Sequence, residues 1–305
     1  MTVTSDDHRL NRLVFGVAVS PERAPERLRA VAAAADQGGL DLVGVQDLPF
    51  VASNLDALAV IADLIPRTEH VHFFPDVANL PLRPAPMLAR AASSLSTLSG
   101  GRFQLGLGAG GLWDGIASMG VERRTAAQAL AAQEEAIALM RQLWHDDASV
   151  TSPGPWYPVE GMAGQAPDPA GVEIWLGAMG PRSLELTGRV ADGWAAPIAP
   201  YFPYERWTEG HRTIDRSAIA AGRKPSEVRR IAQLVGTITP DAGSSTLRGS
   251  EPIRTDVQGW VDVITRLAEE GSFNGFVMMP EGDTVEQTRR YAEEVAAGVR
   301  ARFLA

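Results

Sequence analysis

A chain of 305 residues, 45% hydrophobic and 21% charged, can bury a large core, as one unit or as two. With no Cys it forms no disulfide, carries no thiolate nucleophile and offers no Cys-ligated metal site. A formal charge of -9, with no Lys/Arg run to offset it locally, repels phosphate backbones and anionic lipid, so neither nucleic acid nor a membrane is expected as a partner.

The chain opens on one apolar run, Leu13 to Val19, behind Asp6, Asp7 and Arg9. The run is too short for a signal peptide, and no stretch of about 18 apolar residues follows anywhere, so a cytoplasmic protein is expected. The same run is the first of eight candidate strands. Leu42 to Gln46, Val71 to Val77, Phe103 to Leu107, Glu173 to Leu176, Gly193 to Ala196, Ile231 to Ile238 and Gly275 to Met279 follow in order. Helical periodicity fills the intervals. From about Arg124 to Trp144 the apolar stripe is Leu130, Ile137, Met140 and Trp144; farther on, Val257, Trp260, Val261, Ile264, Leu267 and Ala268 share one face. Thr255 with Gln258, and Thr284 with Gln287, have the spacing of a capping box.

Short apolar strands alternating with amphipathic helices predict parallel βαβ units, and eight of them predict an α/β fold of the (β/α)8 TIM barrel type, residues 1–305 forming a single domain. Two segments interrupt the rhythm. An insertion at about 145–171, after the fourth helix, is rich in Pro, Gly and Asp; Thr239 to Thr255 follows strand seven and should lie on the functional face. Each reads either as a surface loop or as a mobile lid.

The Gly-rich segment Gly106-Leu107-Gly108-Ala109-Gly110-Gly111 matches G-x-G-x-x-G in letters only. A dinucleotide fingerprint belongs to a first βαβ unit with an acid about 20 residues on, whereas this one follows strand four and leads to Ala131. What remains is either a tight turn or a wall that lets the backbone approach a flat ligand. Gly177-Ala178-Met179-Gly180-Pro181-Arg182-Ser183 comes directly after strand five, with Pro suited to the first helical position. A helix N-terminus with Arg182 and Ser183 beside it is a candidate anion site, and an ordinary βα turn is the competing interpretation. Asp47 ends strand two and Asp76 interrupts strand three after Pro75, where a bulge is expected; acids there read either as functional groups or as helix caps. The His residues 8, 70, 72, 145 and 211 show no ligand spacing, so no metal site is expected, and no Gly-x-Ser-x-Gly elbow occurs.

Four strings together resemble the bacterial luciferase-like family of flavin and deazaflavin oxidoreductases, which includes the luciferase-like monooxygenases. They are Leu40 to Asp47, Val77 to Pro84, Ser99 to Gly110, and Gly188-Arg189-Val190-Ala191-Asp192-Gly193-Trp194. The resemblance implies the barrel independently. It also implies noncovalent FMN or coenzyme F-420, undecided between the two, lying over a strand-three bulge with a cis peptide at Asp76-Val77. Gly108, Ala109 and Gly110 would line the ring, Gly177 to Arg182 would hold the phosphate, and Asp47 would sit near the ring's polar edge. Many relatives that use deazaflavin carry His after the strand-two Asp and an acid after the Gly run; here Leu48 and Gly111 stand there. Asp47 or Asp114 is then the candidate catalytic acid, or the reaction needs no strong acid. Trp113, Trp156 and Tyr157 are candidates for an apolar substrate wall or for packing.

A flavoprotein of this kind moves a hydride, or activates oxygen, on a small organic substrate, served by a separate flavin reductase or another supplier of reduced cofactor. Two alternatives stay open. One is a non-redox lyase or isomerase acting on a phosphorylated metabolite, the Schiff-base version disfavoured because the only Lys is Lys224. The other is a noncatalytic flavin-binding barrel. Leu55, Leu58, Ile61 and Leu64 suit either a homodimer surface or the barrel wall.

Overall fold

The computed structural model describes residues 13–145, 149–165 and 171–304. His8 and the acidic N-terminal residues lie outside them, as do the ends of the 145–171 insertion. No helix among the described residues is long and apolar enough to cross a membrane.

The parallel staves are β1 (Val14–Val19), β2 (Leu42–Val45), β3 (His72–Pro75) with β4 (Ala78–Asn79), β5 (Leu105–Gly108), β8 (Ile174–Leu176), β9 (Gly193–Ala196), β10 (Arg229–Ile238) and β12 (Gly275–Pro280). They run in the order β3-β2-β1-β12-β10-β9-β8-β5-β4. β3 and β4 are two halves of one stave, parted at Asp76-Val77, whose peptide bond is cis as the resemblance implied. That stave pairs with β2 on one side, His72 opposite Leu42, and with β5 on the other, Ala78 opposite Leu107. A bridge between Phe73 and Phe103 adds to the second seam, so the sheet closes on itself as a barrel of eight staves.

Period-2 alternation along the staves splits the buried residues into two cores. Phe73, Val43, Leu176, Ala232 and Met278 face outward into the layer shared with the helices. Their chain neighbours Phe74, Leu42, Trp175, Ile231 and Val277, with Ala18, fill the lumen. Phe74 and Trp175 meet edge to face at 5.1 Å, and Trp175 fits because Gly193 has no side chain: a Cβ there would lie 2.5 Å from the indole Cδ1. The barrel is therefore a packed plug below its carboxyl end, and any ligand must sit above it.

The helices in order are α1 (Pro25–Gln37), α2 (Ala57–Leu64), α3 (Ala85–Ser99), α4 (Trp113–Ser118), α5 (Ala126–His145), α6 (Pro181–Val190), α7 (Trp207–Ala220), α8 (Val257–Glu269) and α9 (Thr284–Arg290), followed by a π-helical turn, Tyr291–Ala296, and α10 (Ala297–Leu304). Two expected capping boxes do not form. Asp256 caps α8 by accepting from Gly259 N, because Thr255 belongs to a short strand, β11 (Ile253–Thr255), where its hydroxyl accepts from Gly243 N. Asp283 caps α9, while the Gln287 amide turns inward to bond both backbone groups of Ile238. Thr125 and Gln128 do make the reciprocal pair, at the start of α5.

The two interruptions carry structure that their composition hides. In the insertion, β6 (Ser149–Ser152) and β7 (Val159–Ala163) pair antiparallel. The turn between them is tied to α5 by the Glu135 carboxylate, which accepts from Trp156 N at 3.0 Å and Tyr157 N at 2.6 Å. The Arg124 guanidinium lies over the Trp156 ring at 5.0 Å and donates to Tyr157 Oη. Both aromatic residues thus pack against the outer core rather than forming a substrate wall. The segment after strand seven returns as β11, parallel to β10. Ile61 and Leu64 are buried in the barrel wall, and Leu55 and Leu58 are packed against it. A hollow of about 250 Å³ between α1 and α2, lined in part by Leu28, Leu55, Asp56 and Val60, lies in this outer layer and is separate from the barrel mouth.

Candidate active site

One inward step above the lumen plug, toward the carboxyl ends, alternation places Ser20, Gln46, Asp76, Gln233 and Met279. Gly106 and Gly108 of β5, and Gly177 just past β8, extend this layer without side chains. Their absence is required by packing. A Cβ on Gly106 would lie 2.2 Å from the Pro75 carbonyl oxygen, one on Gly108 would lie 2.9 Å from Val77 Cγ2, and one on Gly177 would lie 3.1 Å from the same methyl. Gly177 N donates to Leu107 O at 3.2 Å, locking the two turns together. The strand-four and strand-five loops therefore converge, and Val77 projects between them. Gly110 has φ +97°, a left-handed conformation that places it against Pro81 and Trp113.

Of the strand-five loop, Gly177 and Gly180 are partly exposed and Met179 is 38% exposed, whereas the Ala178 methyl is buried in the outer core and its carbonyl is occupied by Trp194 Nε1 at 3.0 Å. Ala178 thus contributes no side chain to the barrel mouth. Pro181 opens α6 with Gly180 as its cap residue, and the first-turn amides of such a helix have no intrahelical acceptor. The Arg182 side chain is exposed and has no ion-pair partner among the described residues. Ser183, expected to serve a ligand, is engaged locally: its hydroxyl accepts from Gly180 N and donates to Gly180 O.

The two carboxylates expected as catalytic acids have other partners. Asp47 is fully buried and accepts from Arg83 Nε at 2.7 Å, Arg83 Nη2 at 2.6 Å and Asn79 N at 2.8 Å. Arg83 also holds Asp56, the cap of α2, so this triad fastens the start of α2 to the strand-three bulge. Asp114 is the reverse case. Its side chain is 98% exposed and paired with Arg123, outside the ring of inward residues. Neither is positioned as a free acid facing the barrel mouth.

Asp76 is. Its Oδ1 accepts from Gln233 Nε2 at 2.5 Å, and its Oδ2 is buried with no hydrogen-bond partner among the described residues. Burial pushes the carboxyl up to about 7, the Gln233 hydrogen bond opposing the rise. Sequence reading placed Asp76 at the site but missed Gln233, Gln46 and Ser20, although Gln233 is two residues on from Ile231 and so on the same lumen-facing side of its strand. Ser20 Oγ donates to Gln46 Oε1 at 2.5 Å, and Gln46 Nε2 approaches Met279 Sδ at 3.7 Å.

A family model described as luciferase-like monooxygenase matches residues 13–244. The chain is 30% identical over 282 residues to a Mycobacterium tuberculosis protein named "Putative coenzyme F420-dependent oxidoreductase", covering 85% of this chain and 74% of that one. It is 30% identical over 256 residues to the 5,10-methylenetetrahydromethanopterin reductase of Methanolobus tindarius, covering 83% and 74%. Among solved structures, the coenzyme F420-dependent tetrahydromethanopterin reductase of Methanopyrus kandleri has the same fold, with a TM-score of 0.80 at 17% identity over 94% of this chain and 99% of that one. With its parallel barrel and the convergence of its glycine turns on Val77, the chain belongs to the luciferase-like monooxygenase family.

Proposed function

We propose that this barrel is an oxidoreductase that binds a phosphorylated flavin-type cofactor noncovalently, coenzyme F420 ahead of FMN, and acts on a small organic substrate. The observation that carries this is the notch around Val77: two turns stripped of side chains at Gly108 and Gly177, directly beside a helix N-terminus and Arg182, which has no ion-pair partner among the described residues. Small residues admit a planar ring to the backbone, and unsatisfied amides with a free guanidinium attract its phosphate. The residues present fit such a group. Val77 would support the ring, Gly108 to Gly110 would line it, and Gly180 to Arg182 would take the phosphate. When bound, the cofactor supplies the hydride chemistry; the protein supplies position and a dry floor, the Phe74–Trp175 plug. F420 comes first because it is printed in the names of the Mycobacterium tuberculosis relative and of the solved Methanopyrus kandleri reductase.

We also place the protein in the cytoplasm, with a separate enzyme supplying reduced cofactor and a homodimer as the candidate assembly. Titrating the purified chain with F420 and with FMN, while following visible absorbance and fluorescence, tests the central reading. Saturable one-to-one binding of F420 supports it, tighter binding of FMN reverses the cofactor order, and binding of neither discards the redox assignment.

A further inference from the structure

The inward residue at the top of stave three is a carboxylic acid whose bonding is half complete. Asp76 and Gln233 stand on staves four places apart in a ring of eight, so their 2.5 Å hydrogen bond crosses the lumen. That bond occupies Oδ1. Among the described residues Oδ2 is buried without a partner, although the residue as a whole keeps some exposure, so the carboxyl lies just beneath the barrel mouth.

The surroundings of that oxygen carry no countercharge. On β2 the neighbours are Gln46, which is neutral, and Asp47, committed to Arg83. On β5 and after β8 they are glycines, on β10 Gln233, and on β12 Met279. The charged residues of the lumen side, Glu173 and Arg229, begin the staves below the Phe74–Trp175 plug, as does His72. Among the described residues, no cation acts on Asp76. A lone carboxylate in such a place is costly, and a neutral carboxyl there has an O–H with nothing among the described residues to receive it. Both considerations call for an acceptor brought by a ligand.

We propose that Asp76 is the proton donor of this site, with Oδ2 as the delivering atom and Gln233 as the residue that orients it. This rests on the ring-binding interpretation given under Proposed function. The acceptor is an oxygen or ring nitrogen of the bound molecules that gains electron density during the reaction. The Oδ2–H bond breaks, an O–H or N–H bond forms on the acceptor, and the electron pair stays on Asp76 as carboxylate, which water reprotonates through the open mouth. Leu48 and Gly111, at the ends of the two flanking staves, have no proton to give.

Infrared difference spectra between the wild-type protein and Asp76→Asn, recorded first without cofactor, test this. The expected result is a protonated-carboxyl carbonyl band at pH 6 that fades by pH 9 and is absent from the variant. Adding F420, or FMN if that binds more tightly, should shift the band, because Oδ2 acquires its acceptor. Asp76→Asn keeps the oxygen that faces Gln233, so cofactor affinity should change less than about tenfold while turnover falls by about 100-fold or more. Gln233→Leu should move the fading of the band to higher pH, since it removes the one hydrogen bond that favours the charged form. A wild-type protein that binds cofactor yet shows no band at pH 6, or a band indifferent to binding, overturns the role of Asp76 alone. A band that is present in a protein binding neither cofactor overturns the functional assignment, and the donor role falls with it for want of an acceptor.

Discussion

Asp76 and Gln233, 157 residues apart in the chain, meet at 2.5 Å across the mouth of the barrel, above an aromatic plug. Opposed staves of a filled barrel touch only through side chains long enough to span the lumen. The pair therefore forms a polar lid on the apolar core and a floor for whatever lies above. One carboxyl oxygen of this floor is left over, without a partner among the described residues.

The proton held by Asp76 links stability to pH. Burial raises its carboxyl to about 7 from an ordinary 3.8, so between those values the native state keeps a proton that the unfolded chain has released. The associated stability is complete below about pH 4 and is lost as pH rises through 7. Urea unfolding at pH 5 and pH 8.5 should show the wild-type protein losing ground to Asp76→Asn at the higher pH; an unchanged difference between the two would contradict this.

His211 acts with the opposite sign. Burial against Trp194 and Phe273, with Arg230 nearby, holds its imidazole down to about 3 from an ordinary 6.5. The native ring stays neutral while the unfolded chain takes up a proton, so stability is lost as pH falls from about 6.5 toward 3. His211→Phe should flatten the acid limb in thermal melts between pH 7 and pH 5. An acid limb of unchanged slope counts against the assignment.

Arg83 is the partner that Asp47 cannot lose. Arg83→Ala leaves a fully buried carboxylate with one backbone donor, Asn79 N, and should cost about 3–5 kcal/mol in denaturant unfolding. Arg123→Ala, which frees the exposed Asp114, should stay within about 0.5 kcal/mol of the wild-type value. Comparable losses in the two variants would refute the contrast.

Gly180 separates binding from folding. Its backbone is extended (φ -90°, ψ 157°), and a Cβ there would meet only Ser183 Oγ, at 3.8 Å. Gly180→Leu should melt within a few degrees of the wild-type protein yet bind cofactor at least tenfold more weakly, read by fluorescence titration. Unaltered affinity would remove this loop from the phosphate site.

The aromatic plug should dominate core energetics. Phe74→Ala empties the space that Gly44 leaves for the ring and should cost about 3–5 kcal/mol by the same unfolding assay. A loss below about 1 kcal/mol would mean that the lumen is not packed as described.

What could be read from the linear chain was whatever depends on neighbours in sequence. Alternation in Phe73-Phe74 and in Trp175-Leu176 announces strands with two buried faces, and the glycine strings at 106–111 and 177–180 announce close backbone approach. The hairpin at Ser149–Ala163 escaped because Pro and Gly composition hides short strands, and β11 escaped because its pairing partner is a distant segment of β10.

The amino-acid order alone thus determined the repeat, the barrel and the positions of its small-residue turns, since hydrophobic period and glycine placement are local properties. Only the folded arrangement decided which acid is free. Asp47 is taken by Arg83, 36 residues on, Asp114 points into solvent, and Asp76 reaches across the lumen to Gln233 with one oxygen to spare. A carboxyl group's chemistry is set by burial and by the partners that closure of the barrel brings to it, and neither is written beside the residue in the chain.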